Sequence, residues 1–301
     1  MENIWIPITI ITAFIQTGRN GLMKNLKSTM HDETIMLSRF VFSVPIAFAW
    51  LSILYVLDYQ FPGMNSKFFI YASAAAICQI IAGMLFLKLF GRRNFVIGVT
   101  YNQTQVIMNV IFSAIIFMQF VSLGALAAII LSFVGVVMIT VAEKHIEPKN
   151  LWQRLFTPSA MIGLGCGAFF GITGVFLREA ILVLDKGEFF VKSSYTLLYV
   201  LTLQAIIMSL ITLVKQAGQF KVMIKHAPKA SMVGLTNAVT TFGWFLAFSL
   251  THSAHVYMVG QIEVIFSILL SRKIFKENIS KLELFGMFIV VGSIILLVLY
   301  K

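Results

Sequence analysis

Charge is scarce in this chain of 301 residues. Asp, Glu, Lys and Arg supply 12% of it, about half the share in a soluble domain. Hydrophobic residues supply 59%, and the mean hydropathy is +0.91. The composition excludes a soluble globular protein and leaves an integral membrane protein. Acids are scarcer still, 12 against 23 Lys and Arg, for a net charge of +11. That excess forms no arm or patch, so nucleic acid is not an expected partner. Spread over short connections between apolar runs, it is the pattern that orients helices in a membrane. Cysteine is nearly absent. Cys78 and Cys166 both lie inside apolar runs and read as small buried hydrophobes, not as a disulfide, metal ligands or a nucleophile. Phosphate-cradling glycine loops, His-Glu-x-x-His and nucleophile motifs are missing. No catalytic residue, cofactor or metal is therefore expected, and uphill work would need an ion gradient. His252 and His255 are three apart, but no Cys or acid stands beside them, so they do not read as a metal site.

What is present is a series of apolar runs near ~20 residues, the length that crosses ~30 Å of hydrocarbon as helix. Ten spans are expected, at roughly 3–23, 34–56, 67–89, 95–117, 121–142, 158–182, 192–214, 229–250, 254–272 and 281–300. The first has no basic start and no small-residue cleavage site, so it reads as a retained helix and not a signal peptide. The longest polar stretch, 143–157, reads as a linker between a first half (1–142) and a second (158–301). The halves echo one another. Gln105 and Glu263 are 158 residues apart, and Gly135 and Gly292 are 157 apart in similar apolar contexts. Five spans per half is an odd number, so the two halves must be inverted in the membrane. The expected fold class is thus all-α, with ten transmembrane helices as two inverted five-helix repeats, a recurrent plan of secondary transporters. Most Lys and Arg sit after the odd-numbered spans, while the opposite side holds Lys67, Lys186, Lys192 and Lys301. The positive-inside rule then places both termini outside the cytoplasmic membrane.

Within the apolar run 254–271, Glu263 is the one acid. A charge at the bilayer centre costs ~3 kcal/mol on insertion scales. Such a carboxyl can exchange a proton or meet a cationic group, or it can merely fix helix packing. Gly260 shares its face and would let a backbone or ligand approach. Tyr101, Asn102, Gln105 and Asn109 form a polar stripe on span 4. They read either as one wall of a solute pathway or as interhelical hydrogen bonds worth ~0.6 kcal/mol each. In span 1, Gln16 and Asn20 share a face, and Arg19 either reaches the pathway or snorkels to the interface. Arg39 is placed similarly in span 2, where Pro45 is expected to bend the helix. Trp244 and Tyr257 could stack on a solute or simply pack, and Gln79 reads as packing. Gly163, Gly167 and Gly171 form a close-packing stripe.

Residues 234–300 resemble the second repeat of EamA-type transporters of the drug/metabolite transporter superfamily. The likeness rests on Trp244-Phe245-Leu246-Ala247, Ser253-Ala254, Gly260-Gln261-Ile262-Glu263, Lys276-Glu277-Asn278-Ile279-Ser280, Gly286 and Gly292. Arg39, Gln105 and Gln119-Phe120-Val121-Ser122 extend it more loosely into the first half. The resemblance implies inverted repeats, alternating access and carriage of a small metabolite, such as an amino acid or drug-like solute, with export common. Gln105 stands where relatives often carry an acid, and termini in such carriers are more often cytoplasmic. The expected partners are a small-molecule substrate, membrane lipids, and protons or sodium ions; a monomer suffices for a pathway. Two alternatives stay open, a non-transporting structural or sensory membrane protein and a membrane-embedded lipid-modifying enzyme. The second would need clustered catalytic side chains near an interface, whereas the acids here are dispersed in loops.

Overall fold

Apolar side chains at every turn leave the backbone no partner but itself, and the chain answers with helices. The computed structural model describes residues 3–92, 99, 102–142, 158–275 and 281–300. Tyr101, the start of the fourth span, the 143–157 linker and residues 276–280 lie outside the described residues. The helices are α1 Trp5–Leu26, α2 Asp32–Val41, α3 Val44–Val56, α4 Ser66–Arg92, α5 Gln105–Phe117, α6 Leu123–Ala142 and α7 Pro158–Leu182. They continue as α8 Phe189–Gln216, α9 Gln219–Lys225, α10 Ala227–Leu250, α11 Ser253–Gly260, α12 Ile262–Phe275 and α13 Lys281–Tyr300. Among the described residues, six segments are long and apolar enough to cross a membrane, and three shorter apolar helices accompany them.

The surface is inverted relative to a water-soluble protein. Phe14, Phe48, Ile115, Val214 and Phe288 are exposed, while Gln16, Arg19, Asn20, Arg39, Asn237 and Glu263 are buried. This is the arrangement that lipid selects, because polar groups must find partners inside the bundle. α1 is long enough to span but is not among the six, because it carries Thr9, Thr12, Gln16, Thr17, Arg19 and Asn20 inward. Its threonines donate one turn back, Thr9 to Trp5 O and Thr12 to Ile8 O at 2.7 Å, and Thr17 to Ala13 O at 3.0 Å.

Several expected spans are not single helices. The 34–56 span breaks at Phe42–Ser43, between α2 and α3. Pro45, in the first turn of α3, has no N–H to offer the carbonyl four residues back, and its ring crowds that carbonyl. The 254–272 span breaks at Gln261, between α11 and α12, and α5 is preceded by a turn at Gln103–Thr104. These last two interruptions match. Val106 N–H donates to Gln103 O at 3.2 Å and Val264 N–H to Gln261 O at 3.0 Å, each a tightened three-residue turn, 158 residues apart. The short α9 before α10 was not foreseen.

The packing partners also recur between the halves. α1 lies on α10 as α7 lies on α4; α7 packs against α5 as α1 packs against α11 and α12; α6 pairs with α13, and α8 with α2 and α3. Gly171 lets α7 approach α5 closely. A methyl group there would press on the Asn109 backbone nitrogen and the Met108 Cβ, while Asn109 Nδ2 donates to Gly171 O at 2.8 Å. Gly171→Leu should therefore destabilise by ~1–3 kcal/mol through overpacking, read as a lower melting temperature in detergent. Gly218→Ala is the control, since nothing lies within 4 Å of a Cβ there.

Candidate functional site

Gln16 and Asn20 are one helical turn apart, so both reach the same neighbour from α1. That neighbour is Glu263, in the first turn of α12. Gln16 Nε2 donates to one carboxylate oxygen at 2.9 Å, and Asn20 Nδ2 donates to the other at 2.7 Å. Each amide is pinned from behind by a group that can only donate. Trp244 Nε1–H donates to Gln16 Oε1 at 2.7 Å, and an Arg19 terminal nitrogen donates to Asn20 Oδ1 at 3.2 Å. Neither amide can therefore flip without leaving a buried donor facing a donor. Both faces turned to Glu263 are N–H groups, and the pair suits an ionised, acceptor-only carboxylate.

The network continues to α10 and α2. The other terminal nitrogen of Arg19 donates to Asn237 Oδ1 at 3.0 Å and to Thr240 Oγ1 at 2.9 Å. Arg39 Nε donates to the same Asn237 oxygen at 2.5 Å. Asn237 Nδ2 donates to Ser43 Oγ at 3.0 Å, next to the break between α2 and α3. Arg19 is 5% exposed and Arg39 3%, so neither snorkels. Both are held inside the bundle by Asn237, and among the described residues Arg39 meets no carboxylate.

Beside this network lies a cavity of about 40 Å³. Gln16, Arg19, Asn20 and Arg39 line it, and Gln79 of α4, Asn102 and Gln105 of α5 contribute amides. Phe86, Phe170, Trp244, Phe248 and Tyr257 close the rest. The volume holds a few waters at ~10–15 Å³ each, so a solute requires the walls to part. Tyr257 OH donates to Phe170 O at 2.8 Å, and its ring packs on Trp244 and Phe248. Gly260 leaves the space that the Trp244 ring occupies.

The structure thus gathers Gln16, Arg19, Asn20, Arg39, Asn102, Gln105, Trp244, Tyr257, Gly260 and Glu263 in or around one place. Two expected residues lie elsewhere. Asn109 ties helices together, donating to Gly171 O and accepting from Ser253 Oγ at 2.9 Å. Gln261 accepts from Ser132 Oγ on α6, on a different face from Glu263. Gln79, read as packing, lines the cavity and accepts from Gln204 Nε2 at 2.7 Å. Sequence reasoning missed Asn237, Thr240, Thr241 and Ser43. With Trp244, the α10 residues among them follow an i, i+3, i+4, i+7 pattern, which was the available signal.

Outside the spans, His252 sits 5.7 Å from the His255 ring and accepts from Ala254 N–H through Nδ1 at 3.2 Å. Burial, reinforced by the nearby Arg178 and His255, lowers its pKa from 6.5 to about 4. The unfolded chain therefore takes up a proton that the folded one refuses as pH falls from 6.5 to about 4. Stability should be full above pH 6.5 and fall across that window. His252→Gln should flatten part of the fall in a series of melting temperatures against pH.

No protein-family model matches the chain, and no curated protein matches it. Solved structures do. One, described as "Crystal structure of protein", superimposes with a TM-score of 0.71 over 100% of this chain and 99% of the other, at 10% identity. At that identity the likeness shows the fold alone.

Proposed function

We propose that this chain is a secondary active transporter of the EamA type within the drug/metabolite transporter superfamily. It exports a small metabolite, such as an amino acid or drug-like solute, across the cytoplasmic membrane by alternating access, coupled to protons through Glu263. The observation that carries this reading is the buried Glu263 carboxylate, held by two donors from α1 beside a small cavity lined by arginines, amides and aromatic rings.

Proton coupling follows from the direction of the hydrogen bonds. Protonating Glu263 turns one acceptor oxygen into a donor, which then faces a pinned amide N–H. The bond to that oxygen loses its charge assistance and weakens, which loosens the hold of Glu263 on either Gln16, bonded to Trp244 of α10, or Asn20, bonded to Arg19. A buried charge-assisted hydrogen bond is worth ~1.5–3 kcal/mol, enough to shift a two-state equilibrium ~10–150-fold. The chemical event is local, yet it loosens the contact of α1 with α10 and α12.

Alternating access needs two comparable sets of helices. Ten spans as two inverted repeats are supported by the matched breaks at Gln103 and Gln261 and by the partners that recur five spans apart. Breaks in spanning helices beside a cavity are also where transporters place irregular backbone. In liposomes, the purified protein should move at least one solute of a broad metabolite panel when a pH gradient is imposed. Absence of flux under both pH and sodium gradients would end the proposal.

A further inference from the structure

The cavity wall carries charge of one sign. Arg19 and Arg39 line it and Glu263 does not; its carboxylate accepts from Gln16 and Asn20, which do line it. Among the described residues no other acid contacts this group, so two guanidiniums are set against one carboxylate. Isolated buried charge is costly, and proteins balance it. Arg39 is also under-used. It is 3% exposed, lies 5.2 Å from the Phe40 ring centroid, and gives only Nε to an acceptor, Asn237. Among the described residues its two terminal nitrogens donate to no protein acceptor, although they form the planar fork that pairs with a carboxylate.

We infer that the ligand of this cavity is a small organic carboxylate with an apolar or aromatic body, its anionic end seated on Arg39 and its body against the Trp244 and Phe248 side. This inference rests on the transporter reading and narrows its substrate to an anion. Bound carboxylate brings the group to neutrality while Glu263 is ionised, so the loaded site can be occluded without burying net charge. The stacked aromatic side chains, with Trp244 and Phe248 ring centroids 6.1 Å apart, supply a flat apolar surface. A substrate ammonium finds no carboxylate on the cavity wall, because Glu263 is not among the residues that line it.

Three probes with one ring separate the possibilities: 3-phenylpropanoate, phenylalanine and phenethylamine. Calorimetry on purified protein in detergent, with flux of the same compounds in liposomes, reads the outcome. Carboxylate is expected to bind at least tenfold more tightly than amine, with the zwitterion between them. Arg39→Gln should remove that preference. Asn237→Asp keeps both arginines and adds a negative charge, so it should weaken carboxylate binding tenfold or more even if Arg39→Gln fails to fold. Amine bound as tightly as carboxylate, binding of none of the three, or carboxylate binding indifferent to both variants overturns the inference. Flux of the amine or another cation with no carboxylate binding would overturn the anion site and leave the transporter reading standing. Saturable, Arg39-dependent carboxylate binding with no flux of any panel solute would do the reverse.

Discussion

Glu263→Gln should leave a folded protein that no longer couples. The two side chains have nearly the same shape, so Gln16 and Asn20 keep a neighbour of the right size. One carboxylate oxygen, however, becomes an NH2 group facing an amide that cannot turn, because Trp244 or Arg19 holds its other end. One bond is lost, at about 1–3 kcal/mol for the unsatisfied buried donor. That is a minority of a domain's ~5–15 kcal/mol, so the variant should purify and melt cooperatively. Flux driven by a pH gradient should fall to the level of protein-free liposomes, while exchange of labelled for unlabelled solute, which needs no net proton movement, should persist. Glu263→Asp should retain partial coupling, because it keeps the titrating group but draws it back by one methylene. Undiminished gradient-driven flux in Glu263→Gln would place coupling elsewhere.

The largest effect on stability should come from Asn237. Its single carbonyl oxygen accepts from both Arg19 and Arg39, and its NH2 meets Ser43 at the break between α2 and α3. Asn237→Leu deletes the acceptor and leaves two buried guanidiniums short of partners. Leaving a buried donor unsatisfied costs ~1–3 kcal/mol, and more for a charged group, so two of them approach the whole margin of a modest domain. The variant should therefore be recovered mainly as aggregate, with little monodisperse protein on size exclusion in detergent. Asn237→Asp should be recovered normally, because two neighbouring cations favour an anion there. Equal yield and melting temperature for Asn237→Leu and the native protein would show that the arginines are solvated or paired in another way.

Much of this arrangement was legible in the chain because lipid makes polar side chains conspicuous. Glu263 stood out as a lone acid in an apolar run, and the four-residue spacing of Gln16 and Asn20 placed them on one face, where both bond to it. Pro45 announced a bend, and the helix breaks just before it. Other features depend on neighbours that periodicity cannot name. Arg19 could have reached for the interface, and it turns inward because Asn237 and Thr240 face it from α10. Asn237 itself is one polar residue among threonines, and its weight comes from meeting two arginines 218 and 198 residues away in sequence. Gln261 is only two residues from Glu263, but two residues along a helix is about 200°, and the break falls at Gln261 itself. Asn109 shares the stripe of Gln105 yet lies one turn further on, where α7 and the start of α11 close over it.

The most direct test is proton release from purified protein in weakly buffered detergent, native against Glu263→Gln, as amino acids, small carboxylates and small amines are added in turn. Substrate-dependent release or uptake of protons that vanishes in Glu263→Gln, while binding of the same compound persists, is the predicted result. A proton signal of equal size in both proteins would contradict it and remove Glu263 from the coupling role.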